Sequence, residues 1–129
     1  MVTIPKSAIS GYTDITSIDL SEGLYTVEDM AFYNMTSLTN VNLGTGNTFG
    51  VANGIGCFYG CSGLTSVTVT DAYLGKQSFA YCTGLKEVKM IGNIRFGGKQ
   101  SMFANDTGIT DVVLPDNAMR VACRGSVAC

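Results

Sequence analysis

One apolar pattern returns five times along this chain, and a pattern that recurs at near-constant spacing restricts a sequence to folds made by stacking a single unit. The copies begin at Ala8-Ile9, Ala31-Phe32, Cys57-Phe58, Ser78-Phe79 and Met102-Phe103. They close on Ile15-Thr16-Ser17-Ile18-Asp19-Leu20, Leu38-Thr39-Asn40-Val41-Asn42-Leu43, Leu64-Thr65-Ser66-Val67-Thr68-Val69, Leu85-Lys86-Glu87-Val88-Lys89-Met90 and Ile109-Thr110-Asp111-Val112-Val113-Leu114. Counted from Ile9, Phe32, Phe58, Phe79 and Phe103, apolar residues fall at offsets 0, 6, 9 and 11 in every copy. From Ile15 to Leu38, Leu64, Leu85 and Ile109 the period is 23, 26, 21 and 24 residues.

Within a copy, Ala31, Phe32, Met35 and Leu38 have the spacing of one face of a short helical turn. A polar pair then interrupts it, and the glycines of Ser62-Gly63, Thr83-Gly84 and Thr107-Gly108 are expected to supply the positive φ that ends such a turn. The second half alternates apolar and mostly polar residues, as in Val67-Thr68-Val69, which is the pattern of a half-buried strand. A second, shorter strand is expected five residues before the Phe column, at Ile4, Val27 and Leu74. In the other two copies that segment is stretched, over residues 51–56 and 96–101, and its register is open. No coil covers its own apolar stripe, so burial against the coils above and below is the main stabilising term, at about 1.5 to 3 kcal/mol per large side chain.

Composition narrows the function classes. Of 129 residues 46% are hydrophobic, which is enough for a core, and the net charge of −2 with scattered basic residues gives no footprint for nucleic acid. No apolar run is long enough for membrane insertion as a spanning helix, and Met1-Val2-Thr3-Ile4-Pro5 has no signal-peptide pattern. Five cysteines cannot all pair within one chain. Cys61 and Cys82 share a slot with Tyr12, Met35 and Asp106, so they read as small hydrophobes in a semi-buried core stack. Cys57 and Cys61 lack a matching second pair, and histidine is absent, so no metal and no cofactor is expected. The same absence removes the commonest general base, Gly44-Thr45-Gly46 and residues 97–101 lack the spacing of a phosphate loop, and the expectation is that this chain is not an enzyme.

Ile-x-x-x-Ala-Phe-x-x-Cys-x-x-Leu-x-x-Val-x-Leu, written most fully in residues 57–69 and 74–85, resembles the BspA-like leucine-rich repeats. The resemblance covers roughly residues 4 to 115 and implies an α/β repeat fold: a leucine-rich-repeat solenoid of about five coils with a short parallel strand ladder and short helical turns. It further implies a surface-presenting protein, since such proteins are common on the surfaces of gut and oral bacteria and of some parasitic protists, where adhesion is the usual assignment. The chain departs from that pattern in its sparse strand-ending prolines, its varied Cys slot and the lack of an evident cap at either end. Residues 1–115 thus form the solenoid. Residues 116–129, with Val-Ala-Cys twice around Arg-Gly-Ser, form either a degenerate closing coil or a segment in which Cys123 and Cys129 make a disulfide loop or a link to another chain.

If Val41 and Leu43 point inward, Asn40 and Asn42 point out, and two outward columns follow: Ser17, Asn40, Ser66, Glu87, Asp111 and, beside it, Asp19, Asn42, Thr68, Lys89, Val113. The candidate binding residues are Asn40, Asn42, Ser66, Thr68, Glu87, Lys89, Asp111 and Val113. Phe49 joins them if the glycine-rich connection 44–56 is a mobile lip, although it could equally tuck under the coil. Two functions are consistent with this surface. One is a recognition module, adhesin-like, that takes a protein or glycan ligand on the strand face. The other is a structural subunit that packs through its ends or flanks into a larger assembly such as a cell-surface array or virus particle, with self-association through the solenoid ends. The resemblance places the chain outside the cell or on its surface; the missing signal pattern leaves an intracellular setting open.

Overall fold

The computed structural model describes residues 2–50, 55–97 and 102–113, so the segment 116–129 with Cys123 and Cys129 lies outside it. Each coil gives one strand to each of two parallel ladders. The first ladder runs β1 (Val2–Ile4), β3 (Tyr25–Val27), β5 (Thr48–Phe49), β7 (Tyr73–Leu74) and β9 (Arg95–Phe96) in that spatial order. The second contains β2 (Ser17–Asp19), β4 (Asn40–Asn42), β6 (Ser66–Thr70), β8 (Glu87–Ile91) and β10 (Asp111–Val113). It is split, because β2 pairs only with β4 while β6 and β10 flank β8.

The expected second strand is present, and its register answers the question of the stretched copies. Ile4, Val27, Phe49, Leu74 and Phe96 sit in one cross-strand row. The extra residues of the third and fifth copies therefore follow the strand instead of lengthening it. This corrects the reading of Phe49 as an exposed contact residue on a lip: it is completely buried, and its ring lies 5.9 Å from that of Phe58. An apolar side chain at the inward position of a ladder has no access to solvent when coils close on both sides.

The Phe column forms the axis of the core. Ring centroids are 5.0 Å apart for Phe32 and Phe58, 5.4 Å for Phe58 and Phe79, and 6.0 Å for Phe79 and Phe103. Leu38, Leu64 and Leu85, together with Val67 and Val88, bury beside it. Met35, Cys61, Cys82 and Asp106 are fully enclosed, while Tyr12, in the same slot of the first coil, is 56% exposed. Cys61 and Cys82 do more than fill space: their thiols donate to the carbonyls of Phe32 (3.0 Å) and Phe58 (3.1 Å), one coil back.

Between the strands the chain forms stacked turns, and no helix occurs among the described residues. A helix would spend each amide inside its own coil. Here Phe32 N–H donates to Cys57 O (3.0 Å) and Asn34 N–H to Tyr59 O (2.8 Å) in the next coil, while Ala31 and Tyr33 close four-residue turns on Glu28 and Met30. Alternate amides are thus shared between coils, which requires left-handed backbone at Met30, Asn34, Gln77, Tyr81 and Asn105.

The glycines of the polar pairs have a different role from the expected one. Gly63, Gly84 and Gly108 are not among the residues with positive φ. A Cβ on Gly63 would meet Thr36 O at 2.6 Å and Leu38 O at 2.9 Å, and one on Gly84 would strike Ser62 O. Gly63 and Gly84 need glycine because the backbone of the preceding coil passes against them, whereas at Gly108 the nearest carbonyl stands 3.3 Å away.

Candidate functional site

The outward columns are where alternation places them. Ser17 and Asp19 lie level with Asn40 and Asn42 on β2 and β4. Across the other part of the ladder, Ser66 faces Glu87, which faces Asp111, and Thr68 faces Lys89, which faces Val113. All ten residues are exposed. Because parallel pairing fixes each backbone, the side chains form rows with strand spacing, about 4.8 Å.

The face changes character along its length. Beyond Asp19, its N-terminal part is carboxamide and hydroxyl; its C-terminal part carries Glu87, Lys89 and Asp111. Glu87 and Asp111 are like charges side by side, an arrangement that weakens a ladder by a few tenths to 1 kcal/mol. Two of the outward residues also shape turns. Asp19 accepts from Ser21 N–H (2.9 Å), and Asn42 Oδ1 accepts from Gly44 N–H (3.1 Å). The Ser21 hydrogen bonds hold the Asp19 carboxyl below its usual pKa.

Between β4 and β6 the ladder is interrupted and a cleft of about 490 Å3 opens, lined by Ser21, Asn40–Thr45, Thr68 and Thr70. The repeat alignment puts Gly44 level with Thr70, yet the pair that forms is Thr45 with Thr70. One extra residue on the β4 side therefore slips the register, as in a β-bulge. Asn40, Asn42 and Thr68 belong to this cleft; Glu87, Lys89, Asp111 and Val113 lie beyond it on β8 and β10.

Two features were not picked out from sequence. Asn47, 1% exposed, accepts from Tyr25 N–H (2.8 Å) and donates to Leu43 O (2.9 Å) and Leu20 O (3.4 Å), so one side chain ties the cleft floor to the first coil. Its signal was a polar residue at the position that Ala72 and Ile94 fill in the next two coils. On the turn face, Tyr33 stacks on Tyr59 with centroids 5.3 Å apart, and Tyr81 lies tilted against Tyr59 at 5.0 Å. Burial and the adjoining phenols raise the Tyr59 hydroxyl.

Cys57, Cys61 and Cys82 are enclosed. Burial pushes the Cys61 thiol up to about 12 and raises Cys57 and Cys82 further, so all three are protonated. Among the described residues no group of three or more His, Cys, Asp or Glu gathers as metal ligands would, and no helix is long and apolar enough to cross a membrane.

Comparison with protein families gives one match: the BspA type leucine rich repeat region, in six copies across residues 2–123. The chain belongs to the BspA-type leucine-rich-repeat family. Its Ala-Phe-x-x-Cys-x-x-Leu signature is now physically legible. Phe builds the ring column, Cys reaches the previous coil's carbonyl, Leu packs behind both, and the paired ladders follow. BspA-type repeats form interaction modules and are commonly associated with cell surfaces. Comparison with curated proteins and with solved structures found no match.

Proposed function

We propose that this chain is a non-enzymatic, adhesin-like recognition module that binds a protein or glycan at the cell surface through its outward strand face. The observation that carries the reading is the pair of exposed, in-register columns on the second ladder. Side chains held by a rigid ladder lose little entropy on binding, so a row of modest contacts adds up to useful affinity. The residues of the site are Asn40, Asn42, Ser66, Thr68, Glu87, Lys89, Asp111 and Val113. A cell-adhesion assay tests it with Asn42→Arg and Lys89→Glu. Adhesion should fall at least about tenfold for one or both, as expected for loss of about 1.4 kcal/mol at a contact. Undiminished adhesion by both variants contradicts the assignment of the face.

A second reading, assembly into a larger structure, is favoured by one observation. Among the described residues the outer edges of β1 and β2 carry no partner strand, and Val2 is 56% exposed. Unpaired parallel edges accept further strands. Sedimentation of the chain distinguishes the two: reversible, concentration-dependent oligomers support assembly through the ends, and a monomer at all concentrations removes it.

A further inference from the structure

Within the strand face, and resting on its reading as a recognition surface, we infer that the cleft between β4 and β6 is a subsite for a neutral carbohydrate, one to two sugar rings in size. Its lining is mostly polar and carries no charge: Asn40, Asn42, Ser21, Thr45, Thr68 and Thr70 contribute carboxamides and hydroxyls beside Val41, Leu43 and Gly44. The backbone adds to this. Leu20 N–H donates to Asn42 O, which commits Asn42 to the β2 side. In a parallel strand successive residues turn their amide groups to opposite sides, so the N–H groups of Val41 and Leu43 are directed toward β6. No ladder bond joins β4 to β6 to receive them.

A ligand for such a place must offer donors and acceptors in several directions and bring no charge, because no ionisable side chain lines the cleft to compensate one. The hydroxyls of a neutral sugar meet both conditions. An added peptide strand does not fit: threading it between β4 and β6 requires two strand spacings, about 9.6 Å. The Thr45–Thr70 bridge and the Gly46 N–H to Thr70 O bond (3.2 Å) hold the coils one spacing apart at that end. The volume of about 490 Å3 is in the range of small-molecule sites. The shape is built in as well. Gly44 has φ of 63°, and a side chain there would run into Leu20 O and the Asn47 carboxamide (2.8 Å), so this stretch of the wall requires glycine.

The test is a titration of the full, isotope-labelled chain followed by amide NMR, with maltose, lactose and N,N′-diacetylchitobiose as neutral probes. Glucosamine and N-acetylneuraminic acid serve as charged ones. At least one neutral disaccharide should shift the amides of Val41, Leu43 and Thr68 with a millimolar Kd, and the charged sugars should not. Thr68→Val and Thr70→Val, each isosteric and lacking the hydroxyl, should weaken binding about tenfold. Arg95→Glu, exposed on the other ladder, should leave it unchanged. Absence of shifts with all three neutral sugars, shifts confined to other residues, or affinity unchanged from the parent chain in both Thr→Val variants overturns the subsite. The two readings fail separately: adhesion lost in Lys89→Glu with no sugar bound in the cleft removes the subsite and keeps the face.

Discussion

Asp106 shows how much one residue of the core slot decides. Its Oδ1 accepts from Cys82 N–H (2.8 Å), and its Oδ2 is buried without a hydrogen-bond partner. Burial raises the carboxyl to about 8, against the lowering effect of the Cys82 amide. The folded chain therefore keeps this proton through neutral pH, while the unfolded chain releases it near pH 4. Stability from this group is fully present below about pH 4 and is lost as pH rises through 8. Asp106→Asn keeps the acceptor and removes the charge, so urea unfolding should show the variant more stable than the parent at pH 9, on the order of a few kcal/mol, with the gap closing toward pH 4. Equal stability at pH 9 contradicts the account. The glycines give a graded test. Gly84→Ala should cost about 1 to 3 kcal/mol through overpacking against Ser62 O, whereas Gly108→Ala, with its nearest carbonyl at 3.3 Å, should be close to neutral by thermal melting. Sequence could name Gly84 but not its reason, because the carbonyl that excludes a Cβ belongs to Ser62 in the preceding coil. For the same reason the left-handed residues Met30 and Gln77 carried no warning: hydrogen bonding across coils sets their backbone, not their side chains.

At the scale of the coil, the Phe column was legible because its offsets never slip. Phe49 was not. Its distance to the column is nine residues where Val27 and Leu74 stand at five, so the segment read as a loop while the strand simply came earlier. What the ladder spacing could not reveal is the break between β4 and β6, which arises from one extra residue in a connection whose length alone was visible. Phe58 touches the rings of Phe32, Phe49 and Phe79. Phe58→Ala should cost about 3 to 5 kcal/mol in chemical unfolding, and a loss below 1 kcal/mol would contradict the packing. Asn47→Leu should cost about 1 to 3 kcal/mol, since it leaves Tyr25 N–H and two carbonyls unpaired in a buried place. Maleimide labelling of the native chain with peptide mapping should leave Cys57, Cys61 and Cys82 unmodified, as their burial and raised pKa values require.

At the scale of the molecule, the described residues put the thiols of Cys57, Cys61 and Cys82 inside and the ordered polar rows outside. The outward columns were readable from alternation alone, because period-two patterning fixes which side chains leave the core. Their grading from neutral at the cleft to charged on β8 and β10 gives two adjoining surfaces on one rigid ladder. The first ladder is the natural control, since Arg95 on β9 is also exposed but belongs to the other sheet. A photoreactive benzophenone side chain at position 89 or position 95, irradiated while the chain adheres to target cells, asks directly which sheet meets the partner. Adducts from position 89 and none from position 95 are the result predicted here; adducts from 95 alone would contradict recognition through the outward strand face.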